Sequence, residues 1–292
     1  MSLSFTGERF LPECAGEMVY EHWHRYLIAR DYVQGKRVLD VASGEGYGSK
    51  LLAQSAATVT GIDLSGDAVA HANAKYAQDN LRYIAASCTQ IPVPDASFDV
   101  IVSFETIEHM QEHDAFMQEV DRLLAPNGLF IISSPNRPEY SDRTGYKNEF
   151  HVKELDKFEL KSLLNVRFPE QRWFGQRAAF HSMVWPLDGE ATEAAALAID
   201  GGTGYPPELY YLVFCARFGT PLEQVNRRLT MVTDREQSVY AEWSRTYREN
   251  AALHEQVKSL QIQSSGTSAE PPPPDTWLVR LAKSLSGQDR AN

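Results

Sequence analysis

Residues 37–48 read Arg37-Val38-Leu39-Asp40-Val41-Ala42-Ser43-Gly44-Glu45-Gly46-Tyr47-Gly48. The opening residues are a short apolar run of the length expected for a buried strand. The glycines that follow let the main chain turn tightly and admit a ligand close to the backbone. Gly61-Ile62-Asp63-Leu64 then closes a second strand on an acid. Two strands with a glycine turn after the first and an acid at the tip of the second are how a doubly wound sheet holds a nucleoside. The Asp63 carboxylate has acceptor capacity for both hydroxyls of a ribose. A bare Gly-x-Gly-x-Gly also occurs in dinucleotide sites and in plain turns; the preceding strand and the following acid give this one its weight.

Outward from this stretch, the pattern alternates. A helix is expected near Met18 to Asp31, then strand, helix, strand, helix through Tyr76. Leu81–Ala86 reads as a third strand. Phe98–Phe104 reads as a fourth, almost wholly apolar, as a strand covered on both faces should be. His113–Leu124 is helical, with Phe116, Met117, Val120, Leu123 and Leu124 on its apolar face. Pro126-Asn127-Gly128 makes a turn into a fifth strand, Leu129–Ser133. A polar loop spans 134–152, a length that in compact domains often serves function. Helix Glu154–Leu164 and two strands near Val166–Phe174 and Leu209–Phe218, antiparallel at the sheet edge, complete the unit. The segment between those strands, with Gly201-Gly202-Thr203-Gly204, reads as irregular.

Composition bounds the function. The 292 residues suffice for one large core with appendages. A formal net charge of −11 disfavours a nucleic-acid partner, which needs a concentrated basic surface. Cys14, Cys88 and Cys215 are too widely spaced for a metal site or a disulfide framework and read as thiols in a reducing compartment. The N-terminal residues lack the basic start and apolar run of a signal peptide, and no stretch is long enough to span a bilayer. The expectation is a cytoplasmic protein, with association at the inner membrane face left open.

A nicotinamide dinucleotide site would want Gly-x-Gly-x-x-Gly, whereas the spacing here is Gly44-x-Gly46-x-Gly48 with Asp40 just before it. Together with Pro94-Asp95-Ala96-Ser97-Phe98-Asp99-Val100 and Leu123-Leu124-Ala125-Pro126-Asn127-Gly128, this set resembles a class I S-adenosylmethionine-dependent methyltransferase over roughly residues 5 to 218. The resemblance implies an α/β, doubly wound, Rossmann-like seven-stranded sheet with an antiparallel edge strand, and S-adenosyl-L-methionine as cofactor. It also implies that Ala42 and Gly44 pass beside the methionine part, Asp63 takes the ribose hydroxyls and Leu64 lies against adenine. Cys88 and Thr89 stand near the adenine amine, and Phe104 borders the sulfonium and the acceptor. Arg25, beside Tyr26 on a lid helix, would grip the methionine carboxylate as a two-point fork. Ala42 departs from the glycine found there in many members, and no Asp stands at Cys88–Thr89.

For a hydroxyl acceptor, His109 and His151 are the candidate general bases, since an imidazole takes a proton near neutral pH. His109 follows the fourth strand and His151 the polar loop; His113 reads as a helix start and His22 and His24 as lid residues. No spacing suggests a metal site.

A closer resemblance is to a bacterial group associated with surface-polysaccharide and glycosyltransferase genes. It is carried by Gly7-Glu8-Arg9-Phe10-Leu11-Pro12, Glu21-His22-Trp23-His24-Arg25-Tyr26, Ser134-Pro135-Asn136 and Asn148-Glu149-Phe150-His151. It implies O-methylation of a sugar or glycan intermediate. The alternatives are a small-metabolite methyltransferase for a quinone precursor or natural product, and a vestigial cofactor domain used as an interaction scaffold.

Past Pro221, Leu222, Val225, Leu229, Val232, Val239, Trp243, Leu253, Val257 and Leu260 follow one three-and-four seam, the pattern of a left-handed coiled coil. Asn250 at an a position favours a parallel homodimer. The expected organisation is a lead-in helix over 1–35, the methyltransferase domain over 36–220 and the coiled coil over 221–262. A proline-rich linker over 263–275 and a short amphipathic tail over 276–292, suited to docking on a membrane surface or a protein, follow.

Overall fold

The computed structural model describes residues 11, 17–179, 187, 205–233 and 238–264. Residues 7–10 and Pro12 of the N-terminal motif, Cys14, Gly201–Gly204, the linker beyond 264 and the tail lie outside the described residues. The chain divides into two units near residue 235.

In the first unit α1 (Glu17–Arg30) leads into β1 (Arg37–Val41), α2 (Tyr47–Leu52), β2 (Thr58–Asp63), α3 (Gly66–Tyr76) and β3 (Leu81–Ala85). Then come β4 (Phe98–Ser103), a 3-10 turn (Ile107–His109), α4 (His113–Leu123), β5 (Leu124–Pro135) and a single wide helical turn (Pro138–Asp142). The unit finishes with α5 (Lys157–Asn165), β6 (Glu170–Gln176) and β7 (Tyr210–Ala216). The strands form one seven-stranded sheet in the order β3-β2-β1-β4-β5-β7-β6. The first five are parallel to one another, and β7 runs antiparallel to both β5 and β6.

Both faces are covered, which is why the central strands are apolar without alternation. Val38, Val59, Val100, Val102, Ile131 and Phe214 pack on one face with residues of α1, α2 and α3. Leu39, Ile62, Ile101, Phe130, Ile132 and Val213 pack on the other against α4 and α5. Asp156 begins α5 with a capping box: it accepts from the Glu159 N–H while the Glu159 side chain accepts from its own.

Two expectations, on β5 and on the seam beyond Pro221, are corrected. The last two strands lie antiparallel at one edge of the sheet, as expected, with β7 inside and β6 outermost. All seven β7 residues are buried, whereas every β6 residue keeps some exposure, so the more apolar strand takes the inner place. Strand β5 begins at Leu124 rather than Leu129, because the register jumps from Phe98↔Leu124 to Val100↔Leu129 and the Pro126–Gly128 turn bulges out within the strand. The seam beyond Pro221 is not one helix. Residues 221–233 are irregular, and Leu222 and Val225 are buried in the core of the first unit.

The second unit contains α6 (Ser238–Ser264). Trp243, Leu253, Val257 and Leu260 are exposed along it, and Trp243 stacks on Tyr247 with ring centroids 5.6 Å apart. No described helix is long and apolar enough to cross a membrane.

Candidate active site

The sheet grows outward from β1 through β2 to β3, then crosses back to β4 on the other side of β1. Ligands of such sheets bind outside the carboxyl ends of the strands at this reversal. Two non-glycine residues sit there in the left-handed region, Ala42 at φ 58° after β1 and Glu105 at φ 49° after β4. Backbone strain of this kind costs about 1–2 kcal/mol and gathers at functional sites. The value at Ala42 explains why a glycine is the easier residue at that position.

The glycine turn is fixed from below. Gly44 and Gly46 have φ of 56° and 101°, and the Gly44 N–H donates to Asp63 Oδ2 at 2.9 Å. The Ser65 N–H donates to Asp63 Oδ1 at 2.9 Å, so both carboxylate oxygens are oriented by main chain. Leu64, next to Asp63, is 81% exposed, an apolar side chain left in the open at the tip of β2. Beneath the turn, Asp40 is fully buried and accepts from Ser49 Oγ at 2.6 Å and from the Tyr26 hydroxyl at 3.1 Å. Burial pushes its carboxyl up to about 7, against the pull of those two hydroxyls. Sequence reading noted Asp40 only as a neighbour of the turn.

Arg25 is completely buried. Its guanidinium lies 4.5 Å from the Tyr210 ring centroid, Nε donates to Gln176 Oε1 at 2.7 Å, and Nη2 stands 3.6 Å from Glu105 Oε1. Nη1 has no hydrogen-bond partner. Phe104 is buried edge-on against Tyr26, with centroids 5.0 Å apart. Thr89 bonds Ser87 through its hydroxyl at 2.9 Å, while Cys88 turns toward Met110, with Sγ 3.9 Å from Sδ. Burial raises the Cys88 thiol to about 11.

His109 and His151 meet. Their rings make an edge contact with centroids 5.0 Å apart, although the chain between them spans the polar loop. His109 Nδ1 bonds the Phe150 carbonyl at 3.0 Å, and His151 Nδ1 bonds Glu154 Oε1 at 2.6 Å. Tyr140 stacks on His151 at 5.3 Å. His113 instead bonds the Ile107 carbonyl at 2.9 Å and braces the 3-10 turn. Glu108, which sequence reading passed over, is fully buried beside the pair with both oxygens unpartnered, and Glu108, His109 and His151 bring one donor atom each within 4.8 Å of one another. Its signal in the sequence was a second acid, three residues after Glu105, in the turn that follows a buried strand.

A surface cleft of about 480 Å³ lies at the opposite end of the sheet. Its cations Arg122 and Arg217 are paired with Asp95 and Asp121, so it presents no spare charge to a ligand.

The unpartnered buried groups Arg25 Nη1, Ser43 Oγ, Ser103 Oγ and Glu108 belong to α1 and to segments at the carboxyl ends of β1 and β4. With an oriented acid beside an exposed Leu64, this donor set fits a nucleoside carrying a charged amino-acid tail. The class defined is a doubly wound enzyme with a nucleoside cofactor.

Comparison with known proteins narrows the class. The family description "Methyltransferase domain" matches residues 39–132. A probable S-adenosylmethionine-dependent methyltransferase of Mycobacterium tuberculosis is 34% identical over 71% of this chain and 77% of its own length. A second of that description, from Mycolicibacterium smegmatis, is 39% identical over 56% of this chain and 65% of its own length. A shorter match, 34% identical over 37% of this chain and 40% of the relative, is to a fatty-acid O-methyltransferase of Mycolicibacterium smegmatis. A solved protein of Pyrococcus horikoshii shares the fold, with TM-score 0.50 and 20% identity over 68% of this chain and 88% of that one. The chain belongs to the S-adenosylmethionine-dependent methyltransferases. It is an enzyme with S-adenosyl-L-methionine as cofactor.

Proposed function

We propose that the chain transfers the cofactor's methyl group to a hydroxyl of a sugar or glycan intermediate. The observation that carries this reading is the His109–His151 pair, brought to the carboxyl end of β4 under a polar loop. When bound, the cofactor supplies a methyl already activated by positive sulfur. The protein then aligns the acceptor oxygen and excludes water. A hydroxyl acceptor must lose its proton as the new bond forms, and imidazoles at that place serve that need better than an amine acceptor requires. Tyr140, Ser141, Asn148 and Glu154 surround the pair, and hydroxyl, amide and carboxylate groups suit a polyhydroxy acceptor better than an acyl chain. The second reading, a small metabolite such as a quinone precursor, is supported by a 38% identical match to a ubiquinone biosynthesis O-methyltransferase of Psychrobacter arcticus over 35% of this chain.

In the cofactor site Asp63 takes the ribose hydroxyls, Leu64 faces adenine, and Ala42 and Gly44 line the methionine part. Arg25 Nη1 meets the methionine carboxylate, Thr89 and Cys88 stand by the adenine amine, and Phe104 closes the sulfonium side. Two chains pair through α6, along the exposed seam of Trp243, Leu253, Val257 and Leu260. The tail beyond 275 docks on a membrane surface or a protein.

Asp63→Ala tests the ribose assignment. Two hydrogen bonds to a charged acceptor are lost, so the cofactor's dissociation constant should rise roughly 30-fold or more by calorimetry. An unchanged constant in a variant with a native circular dichroism spectrum refutes the assignment. Incubation with labelled cofactor and candidate saccharides or phenols, followed by mass spectrometry, decides the acceptor. Label on nitrogen or carbon would rule out O-methylation.

A further inference from the structure

The turn after β4 holds a buried carboxyl group that the cofactor site does not use. Glu108 is completely buried, and neither of its carboxylate oxygens has a hydrogen-bond partner. The His109 ring stands beside it, with Nε2 3.9 Å from Glu108 Oε1. Donor atoms of Glu108, His109 and His151 all lie within 4.8 Å of one another. Ligands about 2.0–2.2 Å from a shared ion stand about 3–4 Å apart, so a modest contraction closes the set.

The tautomers are also fixed. His109 Nδ1 faces a main-chain carbonyl and His151 Nδ1 faces a carboxylate, both of which only accept. Each Nδ1 therefore donates, which in a neutral ring leaves the lone pair on Nε2. In the structure the Asn148 amide donates to His151 Nε2 at 3.0 Å, and a cation would replace that donor. A ring whose second N–H is held by a carboxylate or a carbonyl is the usual support of a metal-bound histidine. Glu108 and Glu154 thus take different parts, one as donor to an ion and one as brace of the ring.

We propose that Glu108, His109 and His151 form a divalent-cation site beside the methyl acceptor. Two imidazoles and one carboxylate suit Mn²⁺, Fe²⁺, Co²⁺ or Zn²⁺ better than Mg²⁺ or Ca²⁺, which want oxygen. Three protein donors leave coordination positions for water and for an acceptor oxygen. The role, which rests on the O-methyl-transfer reading, is to hold that oxygen and lower its pKa. The acceptor O–H bond breaks with its proton passing to solvent, the oxygen bonds to the methyl carbon, and the carbon–sulfur bond breaks with its electron pair left on sulfur. His109 and His151 then serve the acceptor's proton loss through the cation they hold, which deepens the O-methyl-transfer reading.

The test is direct binding of metal to the full chain, stripped by chelator, with neither cofactor nor acceptor added. Titration with MnCl₂ followed by electron paramagnetic resonance should show loss of the free-ion signal at one site per chain. Glu108→Gln and His151→Ala should each weaken binding by more than tenfold, and Glu154→Gln by roughly tenfold as the brace is lost. Thermal melts identify any variant that does not fold, and the remaining variants then decide. No binding of Mn²⁺ or of Zn²⁺, or equal binding by wild type and folded ligand variants, overturns the site. Cofactor calorimetry on the same samples separates the two readings: cofactor binding without cation binding sinks the cation site alone.

Discussion

At the residue scale, Asp40 is the group whose behaviour follows most directly from its surroundings. It is wholly buried beneath the glycine turn, with a carboxyl raised to about 7 by burial. An acid of ordinary pKa about 4 in the unfolded chain gives up its proton there first, while the folded chain keeps it. Its contribution to stability is full below about pH 4 and is lost as pH rises through 7. His22 works the other way: burial and Arg25 lower it to about 3, so its contribution is lost as pH falls below its ordinary value. The clean readout is therefore a difference. The stability of Asp40→Asn relative to wild type, by urea unfolding, should improve between pH 5 and 8 by up to about 3 kcal/mol. A difference that does not change with pH would show that Asp40 carries no such burden. Ala42 and Glu105 tell the same story in the backbone, since both accept left-handed conformations where the sheet meets its ligand.

At the scale of elements, α1 is held on α2 by a contact that admits no extra atom. A Cβ added at Gly48 would lie 2.1 Å from Cζ of Tyr26, the same ring whose hydroxyl reaches Asp40. Gly48→Ala should therefore destabilise the first unit by about 1–3 kcal/mol or more in chemical denaturation. Adding Tyr26→Ala removes the obstacle, so the double variant should be more stable than the sum of the single changes predicts, by about 1–3 kcal/mol. Strict additivity would mean that the two residues do not press on each other. The helices and strands themselves were largely legible. The runs 81–86, 98–104 and 113–124 become β3, β4 and α4 within a residue or so at each end. Strand β5 was less so, because Pro126-Asn127-Gly128 reads as a terminator and only its pairing with β4 shows it to be a bulge.

At the scale of the molecule, the two units separate what one sequence pattern had joined. Leu222 and Val225 share the heptad spacing of the later residues, yet they fill the core of the first unit. The helix starts only at Ser238. A chain ending at residue 235 should therefore keep its fold and cofactor affinity. In light scattering it should run as a monomer where the full chain runs as a dimer. Equal masses per assembly in the two proteins would refute pairing through α6.

The sequence by itself determined the parallel sheet, the glycine turn and the acid at the tip of β2. Those features lie in contiguous stretches, where the period of apolar residues and the position of glycine report burial and backbone conformation directly. It also marked His109 and His151 one by one. Tertiary structure alone decided that they meet over Glu108, that one nitrogen of the buried Arg25 has no hydrogen-bond partner, and that β7 lies inside β6. The reason is physical: a periodic apolar pattern says that a face is covered but not by what. Side chains separated by tens of residues become neighbours only when the loop between them closes.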